Sequence, residues 1–190
     1  MTSALKIAIR FTLVTTVLLG LIYPLAITAF AHLTMRHQAD GQLITRDGKV
    51  IGSAIIGQSF TGETYFHSRP SEAGNGYDAA NSSGSNLAQS SKKLVDRIQG
   101  DVATYQKSNP GQPVPIDLVT ASGSGLDPDI TPAAALYQVH QVAQARHLSD
   151  DVVRNLVQEH TQGRQFGILG EPRVNVLQLN LALDATASNK

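Results

Sequence analysis

The residues richest in chemical options lie in the stretch "TASGSGLDPDITPAA", which begins at Thr120. Ser122, Gly123, Ser124 and Gly125 are followed by Asp127 and Asp129, just ahead of a helix start. Glycine-rich loops that feed helices cradle phosphates on backbone N–H groups. Paired aspartates hold cations or exchange protons. Each use makes a demand on the neighbours. A serine nucleophile of the hydrolase type sits in a G-x-S-x-G elbow with oxyanion donors, and "SGSG" is not that elbow. A calcium loop repeats aspartate in a D-x-D-x-D-G register, which Asp127 and Asp129 do not continue.

Other candidates meet similar objections. "GQSFTGET", residues 57–64, has the spacing of a phosphate loop but carries Glu63 where that loop needs lysine, and a carboxylate there repels phosphate. His140 and His147 stand seven apart on one helix, too far for joint ligation, and no H-E-x-x-H pair is present. They read better as solvated or capping histidines, as does His160. A hydrolase using Ser124 and His140 remains conceivable on residue types alone. The absence of cysteine removes thiolate sites, thiol nucleophiles and disulfides. Lys plus Arg equal Asp plus Glu at 15 each, so there is no positive field for nucleic acid. The corner at 120–134 thus reads as a shaped turn that another protein could meet, with no catalytic residue assigned.

The elements that must position it begin with a membrane anchor. Residues 11–31, "FTLVTTVLLGLIYPLAITAFA", carry no formal charge over 21 positions, enough to span a hydrocarbon core of ~30 Å. Lys6 and Arg10 precede it without an acid, which places the N-terminus in the cytoplasm by the positive-inside rule. The resulting layout is a stub at 1–10, a transmembrane helix at 11–33 and an extracytoplasmic domain at 34–190. A cleavable leader ending at "AFA" is the alternative, but its apolar region would be shorter. Thr12, Thr16, Gly20, Pro24 and Thr28 recur every four residues as a ridge of small or kinking side chains, suited to close helix packing in lipid.

Behind the anchor, residues 42–57 read as a hairpin turning at Asp47 and Gly48. A Gly/Ser/Asn-rich loop follows; Tyr65, Phe66 and Tyr77 within it suggest that it is pinned to the body. Leu94, Ile98, Val102 and Tyr105 mark a helix near 89–108. "VPIDLVT" alternates Val114, Ile116 and Leu118, predicting a strand at 114–120. Thr131 and Pro132 cap and open a helix to His147, and a second helix runs over 149–162. "VNVLQLNLAL" puts Leu177, Leu179, Leu181 and Leu183 on one face and Gln178, Asn180 and Asp184 on the other, predicting a final strand at 174–183. The fold class is α/β or α+β behind one N-terminal transmembrane helix.

Five segments, "GQSF", "YFHSRPS", "SGSNL", "VPIDLVTASGSGLDPDITPAAALYQV" and "GEPRVNVLQLNLAL", closely resemble the KdpC family, the C subunit of the Kdp potassium-transporting P-type ATPase. The resemblance covers the anchor and nearly all of the chain behind it. It implies a non-catalytic, single-pass subunit of the inner membrane, required for assembly and activity. Its partners would be a potassium-channel-like subunit and an ATP-hydrolysing subunit. The family is described as a catalytic chaperone that raises the ATP affinity of the hydrolysing partner. With only about ten residues in the cytoplasm, direct ATP contact and a bound cofactor are not expected. The ridge of the anchor nominates Thr16, Gly20 and Pro24, and the matching motifs nominate Arg69, Pro70, Ser71, Ser85, Asn86, Asp117, Ser122, Gly123, Ser124, Gly125, Asp127, Asp129, Arg173 and Asn175, as partner-facing or structural positions. Ser83 departs from the family's glycine, and Gln141 and His147 from its arginine and small residue. A stand-alone anchored solute-binding module is the alternative function.

Overall fold

The computed structural model describes residues 2–187. The chain divides into two units, one ending at Ile51 and one starting at Gly52.

The first unit is dominated by helix. α1 (Ser3–Val17), a π-helical segment (Leu18–Ile22) and α2 (Tyr23–Thr34) run on as one helix of 32 residues, long and apolar enough to cross a membrane. The π turn has a local cause. Pro24 lacks an N–H and its ring would press on the carbonyl of Gly20, four residues back. Widening the preceding turn relieves that clash, and Tyr23 donates five residues back to Leu18. The short α3 (Arg36–Ala39) leads into β1 (Leu43–Arg46) and β2 (Lys49–Ser53). Asp47 and Gly48 both adopt positive φ, 51° and 74°, as the predicted type I′ hairpin requires.

The second unit mixes helices with a small sheet. α4 (Lys92–Ser108), α5 (Pro132–Arg146), α6 (Asp150–Glu159) and α7 (Val176–Ala187) carry most of it. The strands β3 (Asp129–Ile130), β4 (Thr161–Gln162) and β5 (Arg173–Asn175) form an antiparallel sheet in the order β3-β5-β4. Asp129 pairs with Asn175 and Thr161 with Val174. α5 is buried on several sides, with Ala134, Ala135, Val139, Val142 and Ala143 all in the core. A central helix has neighbours all round, so a single apolar stripe is not required of it. Small side chains there let α6 approach closely. Thr131 caps α5 through its hydroxyl, which accepts from Ala134 N–H at 3.2 Å. Ser149 caps α6 through Val152 N–H at 3.4 Å.

One predicted strand is absent and another is mostly helix. Residues 114–120 form a 3-10 turn over Ile116–Leu118. Leu118 is buried but Ile116 is 71% exposed, so the alternation does not mark one inward face. Residues 174–183 give only the last two residues of β5 and then α7. Leu179 and Leu183, four apart, are buried as a helix demands, and so is Asn180, which strand alternation puts on the wet face. The helix at 149–162 is shorter than expected, because Thr161 and Gln162 belong to β4.

Candidate functional site

The corner at 117–131 is held by charges that point inward. Asp117 Oδ2 accepts from the backbone N–H of Thr131 at 2.8 Å, tying the 3-10 turn to the start of α5. Asp127 Oδ1 accepts from Asp129 N–H at 3.1 Å, and its Oδ2 from Arg69 Nη1 at 3.0 Å. Arg69 also donates to the carbonyls of Thr120 and Ala121, both at 3.4 Å. One guanidinium thereby ties the long loop to both sides of the corner.

Asp129 has a different set of partners. Its Oδ2 lies 3.1 Å from Arg173 Nε, and its Oδ1 accepts from Asn175 Nδ2 at 3.2 Å. Burial pushes the Asp129 carboxyl above the usual carboxylate range, the charge of Asp127 adds to this, and Asn175 and Arg173 oppose it. Asn175 also donates to Ala54 C=O at 2.8 Å and accepts from Gln178 N–H at 3.1 Å, capping α7. An open cleft of about 300 Å³ is lined by these groups, with Asp117, Asp127, Asp129, Glu171, Arg69 and Arg173 all on its walls.

The serines and glycines form the other half of the corner. Ser71 donates to Gly125 C=O at 2.5 Å and accepts from the N–H groups of Ala73 and Tyr77. Ser124 C=O receives Ser83 N–H at 3.0 Å and Ser82 Oγ at 2.9 Å. Ser124 Oγ accepts from Leu126 N–H at 3.1 Å. Gly125 has φ +68°, and a Cβ built there would sit 2.5 Å from Ser83 O. Gly123 has open space around it. Ser122 is buried. Pro70 and Ser85 are half-buried, and Asn86 turns outward with φ 50°.

The structure therefore gathers Arg69, Ser71, Asp117, Ser124, Gly125, Asp127, Asp129, Arg173 and Asn175 into one network. Thr16, Gly20 and Pro24 belong to the first unit and are exposed along the long helix. Ser124 and His140 belong to separate networks: His140 Nδ1 meets Asp150 at 3.0 Å beside a cleft of about 750 Å³ lined by Pro110, Pro113 and Pro115. His160 Nδ1 lies 2.9 Å from Leu156 C=O. Among the described residues no group of three or more His, Asp or Glu side chains could hold a metal ion.

Sequence reasoning missed the groups that pin the long loop. Asn180 accepts from Phe66 N–H and donates to Phe66 C=O, both at 2.9 Å, while itself 1% exposed. Gln138 does the same for His67, at 2.8 and 3.2 Å. Two amide side chains thus stand in for a neighbouring strand at consecutive residues. Arg146 donates to Thr64 C=O at 2.6 Å, pairs with Asp184 at 2.8 Å and lies over the Tyr65 ring at 4.6 Å. Lone polar residues inside apolar runs, Gln138 in "LYQVH" and Asn180 in "LQLNLAL", were the available signal.

Fold and site together define a class: a mixed helix-and-sheet domain behind one apolar helix able to cross a membrane, with a corner braced by internal ion pairs. The chain belongs to the KdpC family (K+-transporting ATPase, c chain), which matches residues 5–185. It is therefore a component of the Kdp potassium-transporting ATPase complex. Similar curated proteins carry the name "Potassium-transporting ATPase KdpC subunit". That of Koribacter versatilis (strain Ellin345) is 57% identical over 179 residues, 94% of this chain and 93% of the relative. That of Acidobacterium capsulatum is 56% identical over 180 residues, 95% and 97% of the two chains. That of Methylobacterium nodulans is 54% identical over 184 residues, 90% and 92%.

Proposed function

We propose that this chain is a non-catalytic accessory subunit of the complex, its domain lying outside the cytoplasmic membrane against the potassium-channel-like subunit. Residues 1–10 remain in the cytoplasm, 11–33 cross the bilayer, and the domain follows from 34. The observation that carries the reading is how the corner spends its polar groups. Asp117, Asp127 and Asp129 each accept from named donors within the domain, and Ser124 Oγ accepts from a backbone N–H. Such an arrangement rigidifies a surface for a partner. A reacting site instead leaves a nucleophile beside its base.

The orientation rests on Lys6 and Arg10, which lead into the apolar helix with no acid among residues 1–35. ATP hydrolysis takes place on the cytoplasmic side, so the domain needs no bound nucleotide. The ATP affinity of the hydrolysing subunit then responds to this chain through assembly and through its membrane helix, where Thr16, Gly20 and Pro24 offer a close-packing ridge. Because the chain has no cysteine, Lys107→Cys gives a single thiol on an exposed turn of α4. A membrane-impermeant maleimide should label it in intact cells. Labelling only after permeabilisation would overturn the topology. Potassium-stimulated ATP hydrolysis by the purified complex should fall when the chain is omitted.

A further inference from the structure

The turn between β4 and β5 puts its largest apolar side chains into water. Phe166 is 83% exposed, Ile168 75% and Leu169 53%. Elsewhere from Gly52 onward the exposed large apolar residues, such as Ile55, Val95 and Ile116, stand singly, which is ordinary for a protein surface. A cluster of three at one tip is not.

The tip is also rigid. Gln165 and Leu169 form a bridge in which each N–H donates to the other's carbonyl at 2.9 Å. Ile168 N–H closes back on Gln165 C=O at 3.2 Å. Below them Arg164 Nη2 reaches both carboxylate oxygens of Glu171 at 2.7 Å. Phe166 and Gly167 at the two central positions have φ of 54° and 76°, as a type I′ turn requires. Asn or Gly fills such a position without strain, whereas a bulky aromatic rarely does. The fold gains nothing from a phenyl ring held in that conformation and left in water.

We propose that this tip is a docking anchor, with Phe166 filling an apolar pocket on the outer surface of the channel-like subunit, flanked by Ile168 and Leu169. The identity of that partner rests on the orientation proposed above. Charge favours a protein pocket over a lipid surface. Arg164 is neutralised by Glu171, and residues 165–170 contain no lysine or arginine, whereas lipid-docking segments present free basic side chains to anionic headgroups. Rigidity favours it too. A preformed turn lowers the ordering cost of entering a shaped pocket, and aromatic residues are enriched at the cores of such interfaces.

The test uses the whole complex in native membranes, with p-benzoylphenylalanine replacing Phe166. Irradiation should cross-link this chain to the channel-like subunit. Cross-linking only to lipid, only to the hydrolysing subunit, or to nothing overturns the proposal. Phe166→Ser and Phe166→Gly should each weaken retention in the detergent-extracted complex roughly ten- to thirtyfold, as truncation of a central anchor does. Phe166→Gly also relaxes the positive φ, so the Tm of the isolated chain should hold or rise. A fall in Tm accompanying the loss of retention would assign Phe166 a folding role and sink the anchor. Labelling at Lys107→Cys separates the two readings. External labelling without the cross-link defeats the anchor alone, and labelling only after permeabilisation defeats the topology and this partner with it.

Discussion

Replacing Asn180 with leucine should detach the long loop at its buried anchor. The substitution keeps the branched four-atom skeleton of the side chain, with methyl groups bulkier than the amide, and removes the acceptor and the donor that hold Phe66. Phe66 N–H and C=O, each bonded to Asn180 at 2.9 Å, lose their partners. Phe66 is 0% exposed, so water does not reach them without opening the loop. An orphaned buried polar group costs about 1–3 kcal/mol. Two such groups give about 2–6 kcal/mol, and local opening of the loop holds the total near the lower end, about 3 kcal/mol. For a domain of this size that corresponds to a Tm lower by roughly 6–12 °C. Thermal unfolding of the full chain in detergent, followed by near-ultraviolet circular dichroism of the tyrosines, would measure it. Gln138→Leu is the companion. It frees the backbone of His67, which is only part-buried, and should cost about half as much. A loss below about 1 kcal/mol for Asn180→Leu would refute the reasoning, because it would mean that Phe66 is held by packing and that its backbone finds other partners.

Gly125→Ala should destabilise by more than about 1 kcal/mol, since alanine is strained at positive φ and its Cβ would meet Ser83 O at 2.5 Å. Gly123→Ala, with open space around it, should stay within about 0.5 kcal/mol, and urea titration of the pair reads the difference. Burial raises the Asp101 carboxyl above its ordinary 3.8, with the charge of Arg97 opposing and that of Glu72 adding. The folded state therefore holds that proton more tightly than the unfolded one, and stability falls as pH rises through the raised value. Asp101→Asn should gain within about 0.5 kcal/mol at pH 7, a gain that disappears below pH 3.8. Burial, helped by the charge of Asp101, pushes the Tyr105 phenol from 10.0 up to about 12. The unfolded chain loses that proton first, so stability drops between those values, and Tyr105→Phe should flatten the alkaline limb of a Tm-against-pH profile.

The amino-acid sequence by itself determined the elements whose causes are local. An uncharged run of 21 residues can only be an apolar helix or leader, Asp47–Gly48 dictates a hairpin, and Thr131–Pro132 and Ser149 cap helices wherever they lie. Spacing of three to four found α4, because that helix lies on the surface with one face toward the core. The corner at 120–134 was legible as a shaped turn from its glycines and prolines, although its bracing by Arg69, Arg173 and Asn175 was not. Those partners lie tens of residues away in the chain. Tertiary structure alone decided the identity of "VNVLQLNLAL". Its alternation suits a strand with one wet face, but α7 is buried on more than one side, and Asn180 lies inside because the backbone of Phe66 needs a partner there. With polar and apolar positions both buried, period carries no information about face. The leucines, alanines and glutamine of the segment, good helix formers with no β-branched residue between Val176 and Thr186, then prevail. "VPIDLVT" fails as a strand for a related reason. Asp117 accepts from Thr131 N–H across the corner, and the 3-10 turn over Ile116–Leu118 holds its carboxylate there.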